Sequence, residues 1–181
     1  MQFFYSSKKT LILIFFIYFI VGCSKNLKNY YDEINKYSIE KNYKKIDSYI
    51  DLNKDKFYGK TSILLYYLDK GFFLHLSGDY QNSNKYFTLA KNLYDENYTK
   101  SITNQISTLA INDKITPYYG DAFEISMLLA FKALNYLMMG DQEGAAVEAR
   151  ASIFYLKTLG VNNNSKKVYK DDAFLRYLTG L

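Results

Sequence analysis

Two Gly-Asp pairs, Gly78-Asp79 and Gly140-Asp141, stand at the same place in a matching pattern of small and bulky residues, and this spacing constrains the fold most strongly. Around the first, the chain reads Tyr67-x3-Gly71-x2-Leu74-x3-Gly78-Asp79-Tyr80-x2-Ser83-x3-Phe87-x2-Ala90. Around the second, it reads Leu129-x3-Ala133-x2-Tyr136-x3-Gly140-Asp141-x3-Ala145-x3-Ala149-x2-Ser152. Each pattern predicts two helices joined by a tight turn. The stripe at i, i+4 and i+7 where the second helix must touch the first is small Ser83 and Ala90 with bulky Phe87 in one copy and Ala145, Ala149 and Ser152 in the other, and Gly71 or Ala133 on the first helix admits that approach. With one proline and nine glycines in 181 residues, little else in the chain interrupts helical structure.

A weaker copy precedes them. Asn42-Tyr43 stand where Asp79-Tyr80 stand, Ile46 and Ile50 fill the following stripe, and Tyr30 to Ile39 form the first helix, but no glycine marks the turn. Asn42, Asp79 and Asp141 are 37 and 62 residues apart, which places an insertion from about Asn97 to Gly120. In it, Ile102, Ile106 and Leu109 give Ser101 to Ile111 a helical period ahead of Pro117.

The Gly-Asp-centred pattern resembles the tetratricopeptide repeat, whose unit is about 34 residues. That resemblance implies an all-α domain of antiparallel helix hairpins stacked into a short right-handed solenoid over residues 30–181. Units are expected at about 30–57, 62–95 and 121–158, with the start of a further unit at 171–181. Asp171-Asp172-Ala173-Phe174-Leu175-Arg176-Tyr177-Leu178-Thr179-Gly180-Leu181 reads like a first helix with Gly180 at the close-contact position. It is expected to pack as a lid, either in a shortened member of a longer family or as a single capping helix.

The N-terminus carries a different signal. Lys8 and Lys9 precede the apolar run Leu11 to Ile20, which closes on Val21-Gly22-Cys23, the only cysteine. A cationic start, a short apolar core and a small-residue cleavage site predict a secretory signal over residues 1–22. Leu11 to Cys23 is 13 residues, whereas a bilayer-spanning helix needs roughly 20 apolar residues. Ile20-Val21-Gly22-Cys23 resembles the bacterial lipobox, which implies acylation of Cys23, a membrane-lipid anchor through two or three chains, and a polar tether over residues 23–29. By the same resemblance, Ser24 after the cysteine favours the outer membrane in a diderm host.

The stretch Asn112-Asp113-x3-Pro117-Tyr118-x-Gly120-x2-Phe123-Glu124, continued through Ala133-Leu134-Asn135-Tyr136-Leu137 to Val147-Glu148-Ala149-Arg150, is similar to a group of bacterial tetratricopeptide-containing lipoproteins. That similarity implies an envelope location and a repeat fold, not an activity. The group's pattern continues with a basic residue after Glu-x-Arg, where this chain has Ala151.

Charge and composition narrow the partners. Beyond residue 22 the chain keeps 21 basic and 18 acidic side chains, a formal balance of +3, and they are interspersed, which argues against nucleic acid. With its one thiol acylated the chain has no disulfide framework, so stability must come from packing. His75 is the only histidine and lies between Leu74 and Leu76 as a helix residue, and no phosphate-binding or dinucleotide-binding glycine motif occurs, so no cofactor or metal is expected.

Any catalysis would rest on carboxylates. Asp113, Asp121, Glu124 and Glu148, with Arg150 nearby, form the best constellation, because Glu124 and Glu148 fall on the two helices of one hairpin. Converging carboxylates suit cleavage of wall glycan, whereas in repeats they cap helices or pair with cations, and Glu124 lies in a first helical turn where the macrodipole favours it. Tyr30, Tyr31, Tyr37, Tyr43, Tyr49, Tyr66, Tyr67, Tyr118 and Tyr119 are too many for all to be buried, and exposed tyrosines suit partner binding. Tyr118-Tyr119 is the expected exposed pair. The sequence therefore predicts a lipid-anchored, non-enzymatic scaffold of the envelope. Its protein partner is expected to meet Tyr67, Tyr118, Tyr119, Glu124, Glu148 and Arg150 in a groove between first helices. A wall-glycan enzyme and a small-ligand-binding envelope protein are the competing readings.

Overall fold

Every regular element of the computed structural model is an α-helix among the described residues, 27–104, 117–162 and 173–180. The signal segment, Cys23, Asp113 and Asp171-Asp172 lie outside those residues. Among the described residues no helix is long and apolar enough to cross a membrane. The chain divides after Asn42 into two units. In the first, α1 (residues 27–39) buries Tyr30, Ile34 and Tyr37, which recur at helical spacing on one face. The second holds α2 (Tyr43–Leu52), α3 (Lys54–Phe57), α4 (Ile63–Leu76), α5 (Tyr80–Asn104), α6 (Ala122–Met138), α7 (Gln142–Asn162) and α8 (Ala173–Thr179).

Gly78-Asp79 and Gly140-Asp141 each end one helix and start the next. After α4, Gly78 takes φ +82°, the Asp79 amide donates to the Leu74 carbonyl (3.0 Å) and the Gly78 amide to the His75 carbonyl (3.1 Å). After α6 the arrangement recurs at Gly140 (φ +81°), with Asp141 donating to Tyr136 (2.8 Å) and Gly140 to Leu137 (3.0 Å). These bonds satisfy carbonyls that a helix end leaves open, and the left-handed residue between them favours glycine. Asp79 and Asp141 then accept from the amides of Asn82 (3.2 Å) and Gly144 (2.8 Å), capping α5 and α7. The same turn closes α1 without a glycine: Lys41 adopts φ 53°, Lys41 donates to Ser38 (3.0 Å) and Asn42 to Tyr37 (2.9 Å).

The short turns fold α5 back along α4, and α7 back along α6. Gly71 of α4 lies against α5 so closely that a Cβ there would come within 2.5 Å of the Phe87 ring. Ala133, Ala145, Ala149 and Ser152 are fully buried where α6 meets α7. Across that contact Ser152 Oγ donates to the Ser126 carbonyl (2.7 Å) and meets Ser126 Oγ at 2.8 Å. The main core joins the hairpins: Leu64 of α4, Phe87, Ala90 and Tyr94 of α5, and Ile125, Leu128 and Leu129 of α6. Full burial of each large aliphatic side chain contributes about 1.5–3 kcal/mol. On α8, Leu178 packs with Ala133 and Ala149.

One element differs from its expected extent. The pattern places the end of a unit near residue 95 and a separate helix from Ser101, yet α5 runs unbroken to Asn104. No glycine or proline stands between Tyr80 and Asn104, so nothing local stops the helix. Past this point, residues 105–116 lie outside the described set, and the chain re-enters at Pro117. There the Tyr118 amide donates to the Thr61 carbonyl (2.7 Å), and Gly120 (φ +79°) passes beside Leu64 and Tyr94. That crossing sets the start of α6.

Candidate functional site

Seven polar or charged side chains of the described residues are buried, and several of them join the helices. Lys70, next to Asp69 on α4, forms ion pairs with Asp47 and with Asp51 (2.9 Å) of α2. Burial alone lowers the pKa of this ammonium, but hydrogen bonds to Asp47 and Asp51 outweigh it and the net shift is upward. Tyr66 donates to the other Asp51 oxygen (2.7 Å), and burial with that bond pushes its phenol far up. On α6, Lys132 is likewise buried and meets Glu148 of α7 at 2.7 Å.

A second network connects α4, α5 and α6. Ser83 Oγ donates its single proton to the Gly71 carbonyl (2.7 Å), so toward Asn135 it can only accept. The Asn135 atom facing it at 2.8 Å is therefore the amide nitrogen. This turns Asn135 Oδ1 toward His75 Nδ1 (2.6 Å), which carries the proton, and directs the Asn135 amide to Asn84 Oδ1 (2.8 Å) as well. Asn84 Nδ2 is left without a partner although it is buried. His75 also packs on Phe131 at 5.0 Å, as a half-buried helix residue between two hairpins.

Asn84 belongs to the wall of an open groove of about 420 Å³ between α5 and the end of α6, with Gln81, Lys85, Leu89, Tyr136 and Met139. Tyr136 also borders a second groove of about 270 Å³, whose other walls include Asp141, Glu143 and Val147. Burial raises the Tyr136 phenol pKa, and the charges of Glu148 and Asp141 add to the shift. The two grooves that share Tyr136 therefore differ in charge, the first bordered by amides and an ammonium and the second by carboxylates.

Of the residues expected to bind a partner, four have internal tasks. Tyr67 is half-buried and packs on the main core. Tyr118 also packs there and donates its phenol proton to Glu124, so it does not form an exposed pair with Tyr119, which is 44% exposed. Glu124 accepts from the Asp121 amide (2.8 Å) while Asp121 accepts from the Phe123 amide (2.8 Å), a capping box that starts α6. Glu148 holds Lys132 two turns further along α6, so Glu124 and Glu148 serve different partners. Arg150 is exposed. Of the other tyrosines, Tyr30, Tyr37 and Tyr66 are buried, Tyr43 and Tyr49 are half-buried, and Tyr31 is exposed.

The carboxylate that faces Glu124 electrostatically is Asp69 of α4. Burial raises its pKa to about 6 and the charge of Glu124 adds to this, against the bond from the Tyr58 hydroxyl (2.6 Å). Burial, with the bond to Glu124, likewise pushes the Tyr118 phenol far up. Sequence reasoning missed Asp69, Asn84, Asn135, Lys70 and Lys132. A lone cation inside an apolar helical run, as at Lys132, is a sequence signal for a buried ion pair. Compared with protein-family models, curated proteins and solved structures, the chain has no significant match.

Proposed function

We propose that the chain is an envelope lipoprotein, anchored through acylated Cys23, whose tetratricopeptide-like hairpins hold a protein partner. The observation that carries the binding reading is the open groove beside Tyr136, where apolar Leu89 and Met139 are exposed next to free amide and ammonium groups. Side chains with polar and apolar parts on a rigid helical wall give contact area at low entropy cost. The repeated turn at Lys41, Gly78 and Gly140 supports the repeat reading, because one backbone device ends three helices. The carboxylates best placed for hydrolysis cap a helix or neutralise Lys132, which favours a scaffold over an enzyme.

Two acyl chains make a durable anchor where one is marginal. Crosslinked membranes, once solubilised, are expected to yield a stoichiometric complex of the acylated chain with one partner. Cys23→Ser is expected to lose the acyl label and membrane retention. Recovery of the chain alone, or a Cys23→Ser product that is still processed and held on the membrane, contradicts the proposal.

A further inference from the structure

We infer that the groove between α5 and α6 takes an acidic peptide segment, with a peptide carbonyl on Asn84 Nδ2, a carboxylate at Lys85, and an apolar side chain on Leu89 and Met139. The unpartnered amide carries the inference. Asn84 is 8% exposed, and the proton count through Ser83, Asn135 and His75 fixes which end of it is unsatisfied. A buried donor without an acceptor is costly, and an acceptor brought by a ligand removes that cost. Asn84 itself lines the groove beside Gln81 and Lys85, which are exposed and make no bond among the described residues, so they can rearrange to admit a carbonyl.

Charge sets the sign of the occupant. Among the described residues Lys85 is the only charged side chain bordering this groove, and the carboxylates Asp141 and Glu143 border the second one. A segment with an acidic residue beside an apolar one matches the first groove, and a basic segment is repelled by Lys85. Leu89 at 39% and Met139 at 44% exposure supply the apolar contact, and methionine adapts to different side-chain shapes.

The inference deepens the partner-binding reading above and rests on it in taking the occupant to be a peptide. Its test is independent of membrane anchoring and of crosslinking. In the full chain in detergent micelles, the side-chain amide of Asn84 is followed by nuclear magnetic resonance and assigned by its loss in Asn84→Asp. That variant keeps the acceptor for Asn135 while replacing the free donor with a carboxylate. The probes are acetyl-Leu-Glu-Leu-amide and acetyl-Leu-Lys-Leu-amide at millimolar concentration.

The glutamate peptide is expected to shift the Asn84 amide saturably, with affinity about threefold weaker in Lys85→Gln. The lysine peptide is expected to shift it little. An unmoved Asn84 amide, equal shifts with both peptides, or unchanged affinity in Lys85→Gln overturns the inference. In each of those cases, an intact membrane-bound complex with a protein partner would leave the broader reading standing.

Discussion

Gly71→Ala tests the close contact of α4 with α5. The added methyl would lie 2.5 Å from Phe87 Cδ1 and Cε1 and 3.0 Å from Cγ, whereas carbon atoms pack at about 3.5–4.0 Å. The ring has little room to retreat, because Phe87 is 2% exposed and stacks on Phe131 with centroids 6.2 Å apart. Overpacking of this kind costs about 1–3 kcal/mol, against which alanine gains about 1 kcal/mol of helix propensity over glycine. The expected net loss is about 0–2 kcal/mol, or up to roughly 8 °C in Tm. In a Phe87→Leu background the clash is relieved and only the propensity gain remains, so the same substitution is expected to change sign. Urea titrations of the four proteins, followed by far-UV circular dichroism, give the coupling directly. A stabilising Gly71→Ala in both backgrounds would refute the claim that α4 and α5 meet at this glycine.

Three further outcomes follow from particular side chains. Lys41→Gly is expected to raise stability by about 1 kcal/mol in a denaturant titration, because Lys41 holds φ 53° where glycine has no steric penalty; no gain would mean that the turn is not strained. Lys132→Ala is expected to cost about 3–5 kcal/mol by leaving Glu148 uncompensated in a mostly buried site, and much less in a Glu148→Gln background. For Asp69, the folded pKa of about 6 lies above its unfolded value, so its contribution is fully present at low pH and is lost as pH rises through about 6. Asp69→Asn keeps an acceptor for Tyr58 and is therefore expected to stabilise the protein by about 2–3 kcal/mol at pH ~8 and by little at pH ~4; a gain independent of pH would contradict the assignment.

The hairpins were legible because their determinants are local. A glycine in the left-handed region, an aspartate that caps the next helix, and small residues at helical spacing lie within about one repeat of each other, as Gly71, Gly78, Asp79 and Ser83 show. The first turn was harder to read because Lys41 takes the glycine conformation without being one. The polar network was not legible at all: His75, Asn84 and Asn135 come from three helices, with partners 51 to 60 residues apart, and no local pattern marks them. For the same reason Glu124 and Glu148 looked like a facing pair in sequence, although one caps α6 and the other neutralises Lys132. Tyr118 stands beside proline in a loop, the usual setting of an exposed residue, yet its amide and hydroxyl are both tied down.

Site-specific photocrosslinking in intact producing cells tests partner capture by this groove most directly. A photoreactive side chain replaces Met139 at the groove, or Phe154 as a control that is 64% exposed on α7. Position 139 is expected to give one discrete adduct that disappears with Lys85→Glu, and position 154 is expected to give none. The same adducts from both positions, or an adduct at 139 that is indifferent to the charge at Lys85, would contradict it.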